Sequence, residues 1–166
     1  MSEEMLDVYD INFNKTGKTI PRKGRNIEPG EYILKAALIA INSDNKYMIQ
    51  IVADGNNDYA IPIGTVKSGE ESLDTLIREL NEEQGLVIKS EDLNFFKRKI
   101  VTNNVIWDIY YIERDFRKED MVLQKEEVTD VLFLSFDELT SIYNKHCILR
   151  RTTYEAICDF EEFKRL

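Results

Sequence analysis

Apolar and polar side chains alternate over Leu6-Asp7-Val8-Tyr9-Asp10-Ile11, give way to the polar run Asn12–Gly17, and resume at Lys18-Thr19-Ile20. A period of two on both sides of a polar turn predicts a small β-hairpin. A basic loop, Arg22-Lys23-Gly24-Arg25, follows it. Tyr32–Ile41 is a rich apolar stretch that stops at Asn42-Ser43-Asp44-Asn45-Lys46, and Tyr47–Val52 continues it. The polar cluster between them favours two strands joined by a turn over a single helix. Asp54–Asp58 reads as a loop.

Over Ser72–Gln84 the period changes. Leu73, Leu76, Ile77 and Leu80 recur at helical spacing, which predicts an amphipathic helix. Ser72 is placed at its N-cap, Asp74 in its first turn, and Gly85 just past its end. Lys97–Val101 and Val105–Glu113 read as strands around an Asn103-Asn104 turn, with a further strand at Val131–Leu134. A short helix begins at Phe136 and a last one covers Tyr154–Lys164. This order predicts an α+β fold with a mixed β-sheet, helices on its faces and an N-terminal β-hairpin. The expected organisation is one domain over residues 1–166, with residues 1–30 as its hairpin and loop extension.

Composition narrows the class. The chain has 166 residues, 43% of them hydrophobic, with 7 Gly and 3 Pro, which excludes collagen-like and low-complexity chains. No apolar run approaches the roughly 18–20 residues of a membrane span, since Lys35 breaks Ile33–Ile41. Met1-Ser2-Glu3-Glu4 carries neither a basic nor an apolar leader segment, and Cys147 and Cys158 have no metal-type spacing. The expectation is a cytoplasmic protein with reduced thiols. The net charge of −9 argues against nucleic-acid polymers and anionic membranes as partners. A phosphorylated small molecule would need local cations, protein-borne or metal.

The helix carries the candidate chemistry. At about 100° per residue, Glu82 and Glu83 fall about 60° and 40° to either side of Glu79, so three carboxylates share one stripe. Like charges at these spacings cost about 0.2–0.5 kcal/mol per pair. Their place in the last turns, at the negative end of the helix dipole, costs about 0.3–1 kcal/mol each. A cation held between them reverses the sign, and hard oxygen donors without Cys or His select Mg²⁺ or Mn²⁺ over Zn²⁺. The competing reading is a solvated acidic helix face. The loop bracketed by Gly64 and Gly69 lets backbone approach a ligand near the same carboxylates.

The stretch 64–86 resembles the Nudix box, Gly-x5-Glu-x7-Arg-Glu-U-x-Glu-Glu-x-Gly-U with U aliphatic. Gly64, Glu70, Arg78, Glu79, Leu80, Glu82, Glu83, Gly85 and Leu86 match every defined position. A chance match is on the order of one in a million. Leu6–Asp10, Asn14–Lys18 and Pro29-Gly30-Glu31-Tyr32 are similar to the leader of Nudix hydrolases related to isopentenyl-diphosphate isomerase. Leu123–Val128 and Leu134–Leu139 are similar to the family's closing strand and helix.

The resemblance implies an α/β/α sandwich and Mg²⁺- or Mn²⁺-dependent cleavage of a diphosphate bond, mostly in nucleoside diphosphate derivatives. It implies Glu79, Glu82 and Glu83 as metal ligands, with the Ile63 carbonyl as a further one. Glu82 or Glu83, or Glu127 or its neighbour Glu126, would orient or deprotonate the attacking water. Arg78 and Glu70 would fix the loop to the helix. Arg22, Lys23 and Arg25 are candidates for substrate phosphates, against a solvated basic loop. Trp107, Tyr110 and Tyr111 are candidates for stacking on a base, against a place in the core. Ile63 stands where many relatives have glycine, and Tyr59-Ala60-Ile61-Pro62 replaces the usual tryptophan-containing approach. Isomerase chemistry is the alternative, yet no cysteine precedes Cys147 and His146 is the sole histidine. A non-catalytic nucleotide sensor is another, although all box glutamates are present. A homodimer fits the resemblance.

Overall fold

The alternation near the N-terminus folds as a hairpin: β1 (Met5–Tyr9) and β2 (Lys15–Pro21) pair antiparallel, with Leu6 opposite Ile20. The computed structural model describes residues 3–166; Met1 and Ser2, half of the stretch read for a leader, lie outside the described residues. Leu6, Val8 and Ile20 pack with Ile33 in a small cluster of their own, which fastens the hairpin to the rest of the chain.

β3 (Ile33–Ile41) has no solvent face. Leu34, Ala36, Leu38 and Ala40 enter one core while Ala37, Ile39 and Ile41 enter another. A strand covered on both sides reads as a continuous apolar run, and this is why the sequence shows no alternation there. β4 (Lys46–Val52) follows through the polar turn, and β5 (Tyr59–Ala60) and β6 (Ile63–Thr65) come next. These two short strands lie within a stretch read only as loop and approach, because two or three residues are too few for a period to register. Helix α1 spans Ser72–Gln84, as its spacing predicts.

β7 (Asn94–Thr102) and β8 (Val105–Glu113) form the second hairpin. β9 (Val128–Ser135) is longer than the apolar Val131–Leu134 stretch that announces it. α2 (Phe136–Lys145) starts on a capping box in which Ser135 and Glu138 bond each other's backbone N–H. α3 (Arg151–Lys164) begins a turn earlier than its apolar residues indicate.

The seven-stranded mixed sheet has the order β5-β4-β3-β8-β7, with β6 also on β3 and β9 also on β4. The β3–β8 pair is parallel throughout, Ile33 opposite Val105 to Ile41 opposite Glu113. β4 touches β3 only at Ile41–Tyr47, and β6 pairs with the opposite half of β3. α1 packs Leu76 and Leu80 on one face of the sheet, and α2 and α3 pack Leu139, Ala156, Ile157 and Phe160 on the other. The architecture is the expected α/β/α sandwich. Trp107, Tyr110 and Tyr111 all belong to these cores: Trp107 is buried, the Tyr110 hydroxyl meets Ser72 at 2.7 Å, and Tyr111 packs 5.2 Å from the Phe160 ring. None is free to stack on a base. Among the described residues no helix is long and apolar enough to cross a membrane.

Leu80 is fully enclosed between α1 and the sheet. Leu80→Ala is expected to lower stability by about 2–5 kcal/mol, the usual range for a buried leucine. Equilibrium urea denaturation measures it, and a loss below about 1 kcal/mol would contradict this packing.

Candidate active site

The start of α1 differs from expectation in one respect. Glu71, not Ser72, holds the capping position and makes no side-chain cap bond. Ser72 is buried inside the first turn, where the Tyr110 hydroxyl takes its side chain into the core. The helix is therefore positioned by packing and by what lies at its far end.

Gly64 sets the distance between helix and sheet. A Cβ at this position would overlap the Glu79 side chain, so only glycine lets that carboxylate lie flat on β6. Arg78 is the hub of the charges above it. Its guanidinium donates to both carboxylate oxygens of Glu70 at 3.2 Å, to Glu79 at 2.9 Å and to Glu82 at 3.3 Å. Burial alone would raise the Glu70 carboxyl, but hydrogen bonds from Thr75 and Arg78 hold it below its ordinary value. The loop 64–70 is thereby tied to the helix.

The C-terminal end of α1 is closed by other means. Gly85 is left-handed at φ 68°, and its N–H returns to the Asn81 carbonyl. The next two orphan carbonyls are taken by a distant segment: Val122 N–H donates to Gln84 at 3.0 Å and Gln124 N–H to Glu83 at 2.8 Å. The backbone of Val122 runs so close to Gly85 that a Cβ there would sit 2.9 Å from its nitrogen. Gln84 is buried and donates to Gln50 of β4 at 2.9 Å. The Glu127 carbonyl accepts from Ala53, so the segment 122–127 is held at both ends and its acids are brought to the helix.

Glu79, Glu82, Glu83 and Glu127 consequently line one cavity of about 360 Å³, together with Arg78, Gln124, Glu4, Arg22 and Lys67. The Glu82 side chain is 54% exposed and that of Glu79 only 15%, so the wall is graded from solvent to interior. Burial, the hydrogen bond with Glu79 and the charges of Glu79, Glu127 and Glu82 push the Glu83 carboxyl up to about 8. Glu83 thus keeps a proton where an ordinary glutamate has lost it.

The other sequence candidates separate here. Glu126 is exposed and outside the cavity lining. Arg22 lines the cavity but is engaged by Glu4 at 2.9 Å, and Arg25 lies outside the lining, donating to the Arg22 carbonyl at 3.1 Å. Lys23 is exposed and also outside it. The sequence reading missed Lys67, Glu4 and Gln124. Lys67 sits at a variable position of the box, and Glu4 reaches it, at 2.9 Å, from the chain's far end, so no local pattern marked either one. Arg22 and Lys67 together hold the Glu4 carboxyl down to about 2.

Ile63 lies outside the cavity lining, and its backbone is the part that the sheet leaves unpaired. Leu38 N–H donates to the Pro62 carbonyl and Val66 N–H to the Leu34 carbonyl. In an antiparallel pair the bonding residues alternate, so the carbonyl of Ile63, opposite Ala37, points away from β3 and is free to accept. Among the described residues no three His, Cys, Asp or Glu side chains already stand in metal-ligating geometry, since Arg78 draws Glu79 and Glu82 to itself. The donor set is nevertheless all oxygen, the type that suits a hard cation.

A sandwich that presents the Nudix box on its first long helix defines a class, and the comparisons agree with it. The NUDIX domain profile matches residues 27–155. The chain belongs to the Nudix hydrolase family, which acts on pyrophosphate bonds. It is 30% identical over 146 residues to an uncharacterised Nudix hydrolase of Listeria monocytogenes, with 84% of each chain covered. Its fold is that of a Deinococcus radiodurans crystal structure at TM-score 0.77, with 16% identity, covering 94% of this chain and 98% of that one. It is also similar to a bifunctional NMN adenylyltransferase/ADP-ribose pyrophosphatase of Francisella tularensis, complexed with AMP and a manganese ion. That match has a TM-score of 0.60 and 15% identity, covering 79% of this chain and 41% of that one.

Two outcomes test this geometry. Between the usual glutamate value of 4.5 and about 8, folded Glu83 holds a proton that the unfolded chain has released. Stability of the metal-free protein should be fullest below that window with respect to this group and fall as pH rises through it. Melting temperatures in EDTA between about pH 5 and pH 8.5 read this slope, and Glu83→Gln should flatten it. Gly64→Ala should displace Glu79 and cost about 1–3 kcal/mol in urea denaturation; an unchanged midpoint would mean the helix is not seated on β6.

Proposed function

We propose that this protein is a Mg²⁺-dependent hydrolase, with Mn²⁺ as a possible substitute, that cleaves a diphosphate bond in a nucleoside diphosphate derivative. The convergence of Glu79, Glu82, Glu83 and Glu127 on one cavity rimmed by Lys67 and Arg22 carries this reading. Glu79, Glu82, Glu83 and the Ile63 carbonyl are the groups that would hold the metal. When bound, the metal neutralises diphosphate oxygens and acidifies a water molecule. Attack of a water on phosphorus would break the bridging P–O bond, the departing phosphate keeping the electron pair, and the proton of the water would pass to a carboxylate. Glu127, or Glu83 once ionised, stands in the cavity to receive it, a role worth about 10²–10⁴ in rate. Arg78 keeps Glu79 and Glu82 oriented, and Lys67 and Arg22 offset the field of the net −9 chain as a phosphorylated substrate arrives.

The Francisella protein, complexed with AMP and a manganese ion, supports a divalent ion in this reading. A Caenorhabditis elegans Ap4A hydrolase among the similar folds supports a nucleotide substrate. The isomerase alternative has little to stand on: His146 ends α2 and Cys147 is exposed, and neither lines the cavity.

The deciding experiment is a panel of nucleoside diphosphate derivatives and nucleoside triphosphates with Mg²⁺, following phosphate-bond cleavage products. Glu82→Gln and Glu83→Gln should each reduce turnover by about 10²-fold or more while preserving the far-UV spectrum. Full activity in both variants would overturn the assignment. Tight nucleotide binding without cleavage would establish a sensor instead.

A further inference from the structure

A second cavity, of about 270 Å³, opens where the tip of the β1–β2 hairpin meets the start of α1. It shares no lining residue with the glutamate cavity. The hairpin reaches both: Glu4 and Arg22, which flank its open end, line the first, and Asn14 and Lys15, at its tip, line the second. Asp10 fixes that tip, its carboxylate accepting from the Asn12 and Asn14 N–H groups at 2.9 and 3.0 Å. Tyr9 and Lys15 stand opposite each other across the two strands, so their side chains share one face.

The wall of this cavity carries hydrogen-bond donors that the fold does not use. Tyr9 is only 5% exposed. Its backbone bonds Tyr32 in both directions, and the Arg98 guanidinium covers its ring at 5.8 Å, which leaves the hydroxyl to the cavity it lines. That hydroxyl has no hydrogen-bond partner among the described residues, and burial raises its pKa, so it keeps its proton. Arg98 donates Nε and Nη2 to the buried Asp108 at 2.6 and 2.8 Å, while its Nη1 has no acceptor among the described residues. The Ser72 and Leu73 N–H groups of the first turn of α1 have none either, since Glu71 makes no cap bond. Lys15 adds a positive charge, shared with Asp7 at 3.3 Å.

The buried acids nearby are already engaged, Asp108 by Arg98 and Glu70 by Thr75 and Arg78. Glu71 lines the cavity without a partner among the described residues, but it is exposed and its charge is screened by water. Unused donors with no unengaged buried acceptor beside them select a ligand made of acceptors. We propose that this cavity is a second ligand site, which binds a small molecule through an oxyanion, phosphoryl or carboxylate. The Tyr9 hydroxyl, the Ser72 and Leu73 N–H groups, Arg98 and Lys15 receive it, and the dipole of α1 adds to their pull. The site needs no metal and stands apart from the hydrolase reading above. One ion pair divides it from the glutamate cavity, because Glu70 lines the second cavity and Arg78, which holds it at 3.2 Å, lines the first.

The test titrates the full ¹⁵N-labelled chain in EDTA with inorganic phosphate and, separately, with succinate, following backbone amide resonances. An anion that is bound should shift the Ser72 and Leu73 amides and saturate with a Kd of about 1 mM or tighter. Saturation by phosphate alone assigns a phosphoryl ligand, and by succinate alone a carboxylate. Tyr9→Phe removes only the hydroxyl, and Lys15→Met only the charge. Each should weaken binding by about 10-fold or more, the loss of one charge-assisted hydrogen bond, while the melting temperature stays unchanged or rises for Tyr9→Phe and barely moves for Lys15→Met. Lys67→Met, in the glutamate cavity, should leave binding intact. The inference is overturned if neither anion moves these two amides, or if both variants, folded by their melting temperatures, bind as wild type does. It is equally overturned if Lys67→Met abolishes the shifts, which puts the anion in the first cavity. Turnover without anion binding at Ser72 sinks this inference and spares the hydrolase reading, and anion binding in a chain that cleaves no diphosphate does the opposite.

Discussion

Four glutamates cannot be gathered at the negative end of a helix, in a partly buried cavity, unless positive charge is gathered with them. In this protein the compensation is unequal. Arg78 answers Glu70, Glu79 and Glu82 through four hydrogen bonds of 2.9–3.3 Å, and the interior member, Glu83, is left to retain its proton. The remaining cations on the wall, Arg22 and Lys67, are closed onto Glu4. Exposed pairs of this kind contribute little to stability, so an arriving phosphate meets cations that exchange partners easily. The rest of the sandwich serves this arrangement: the sheet supplies Gly64 so that Glu79 can lie flat, and the loop 122–127 supplies the backbone that ends the helix.

Much of this was readable from residue order. The helix limits Ser72–Gln84 follow from the spacing of Leu73, Leu76, Ile77 and Leu80, because a stripe of that width has no other regular home. The two-sided burial of β3 follows from a run with no alternation. The convergence of Glu79, Glu82 and Glu83 is a matter of helical angle, which needs no tertiary information. The features that escaped are of a different kind. β5 and β6 are held by their neighbours and have too few residues to show a period. Ser72 has the chemistry of a cap, but a tertiary partner, Tyr110, outcompetes the backbone for its hydroxyl. Glu4, Lys67 and Gln124 come to the cavity from three separate segments, and nothing local in any of them announces a site.

The distinction between Glu126 and Glu127 shows how such choices are made. The two carboxylates are adjacent in sequence and identical in side-chain type. The Glu127 carbonyl is fixed by Ala53, and Gln124 is fixed to Glu83. Two anchored backbone points three residues apart leave little freedom in between, and only one of the two side chains is aimed inward. Chain geometry, not residue type, selects the acid.

Those anchors have a consequence for how the chain can change over generations. Because Val122 and Gln124 dock directly on the last carbonyls of α1, the position of Glu127 is inherited from the helix and not from the path by which the chain arrives. The stretch from Arg114 to Met121 lies outside that clamp and carries only a 3-10 turn, Lys118–Asp120. Insertions or losses there would leave the clamp, and the acids it holds in place, undisturbed, so this is where chain length can drift at small risk to the machinery beside it.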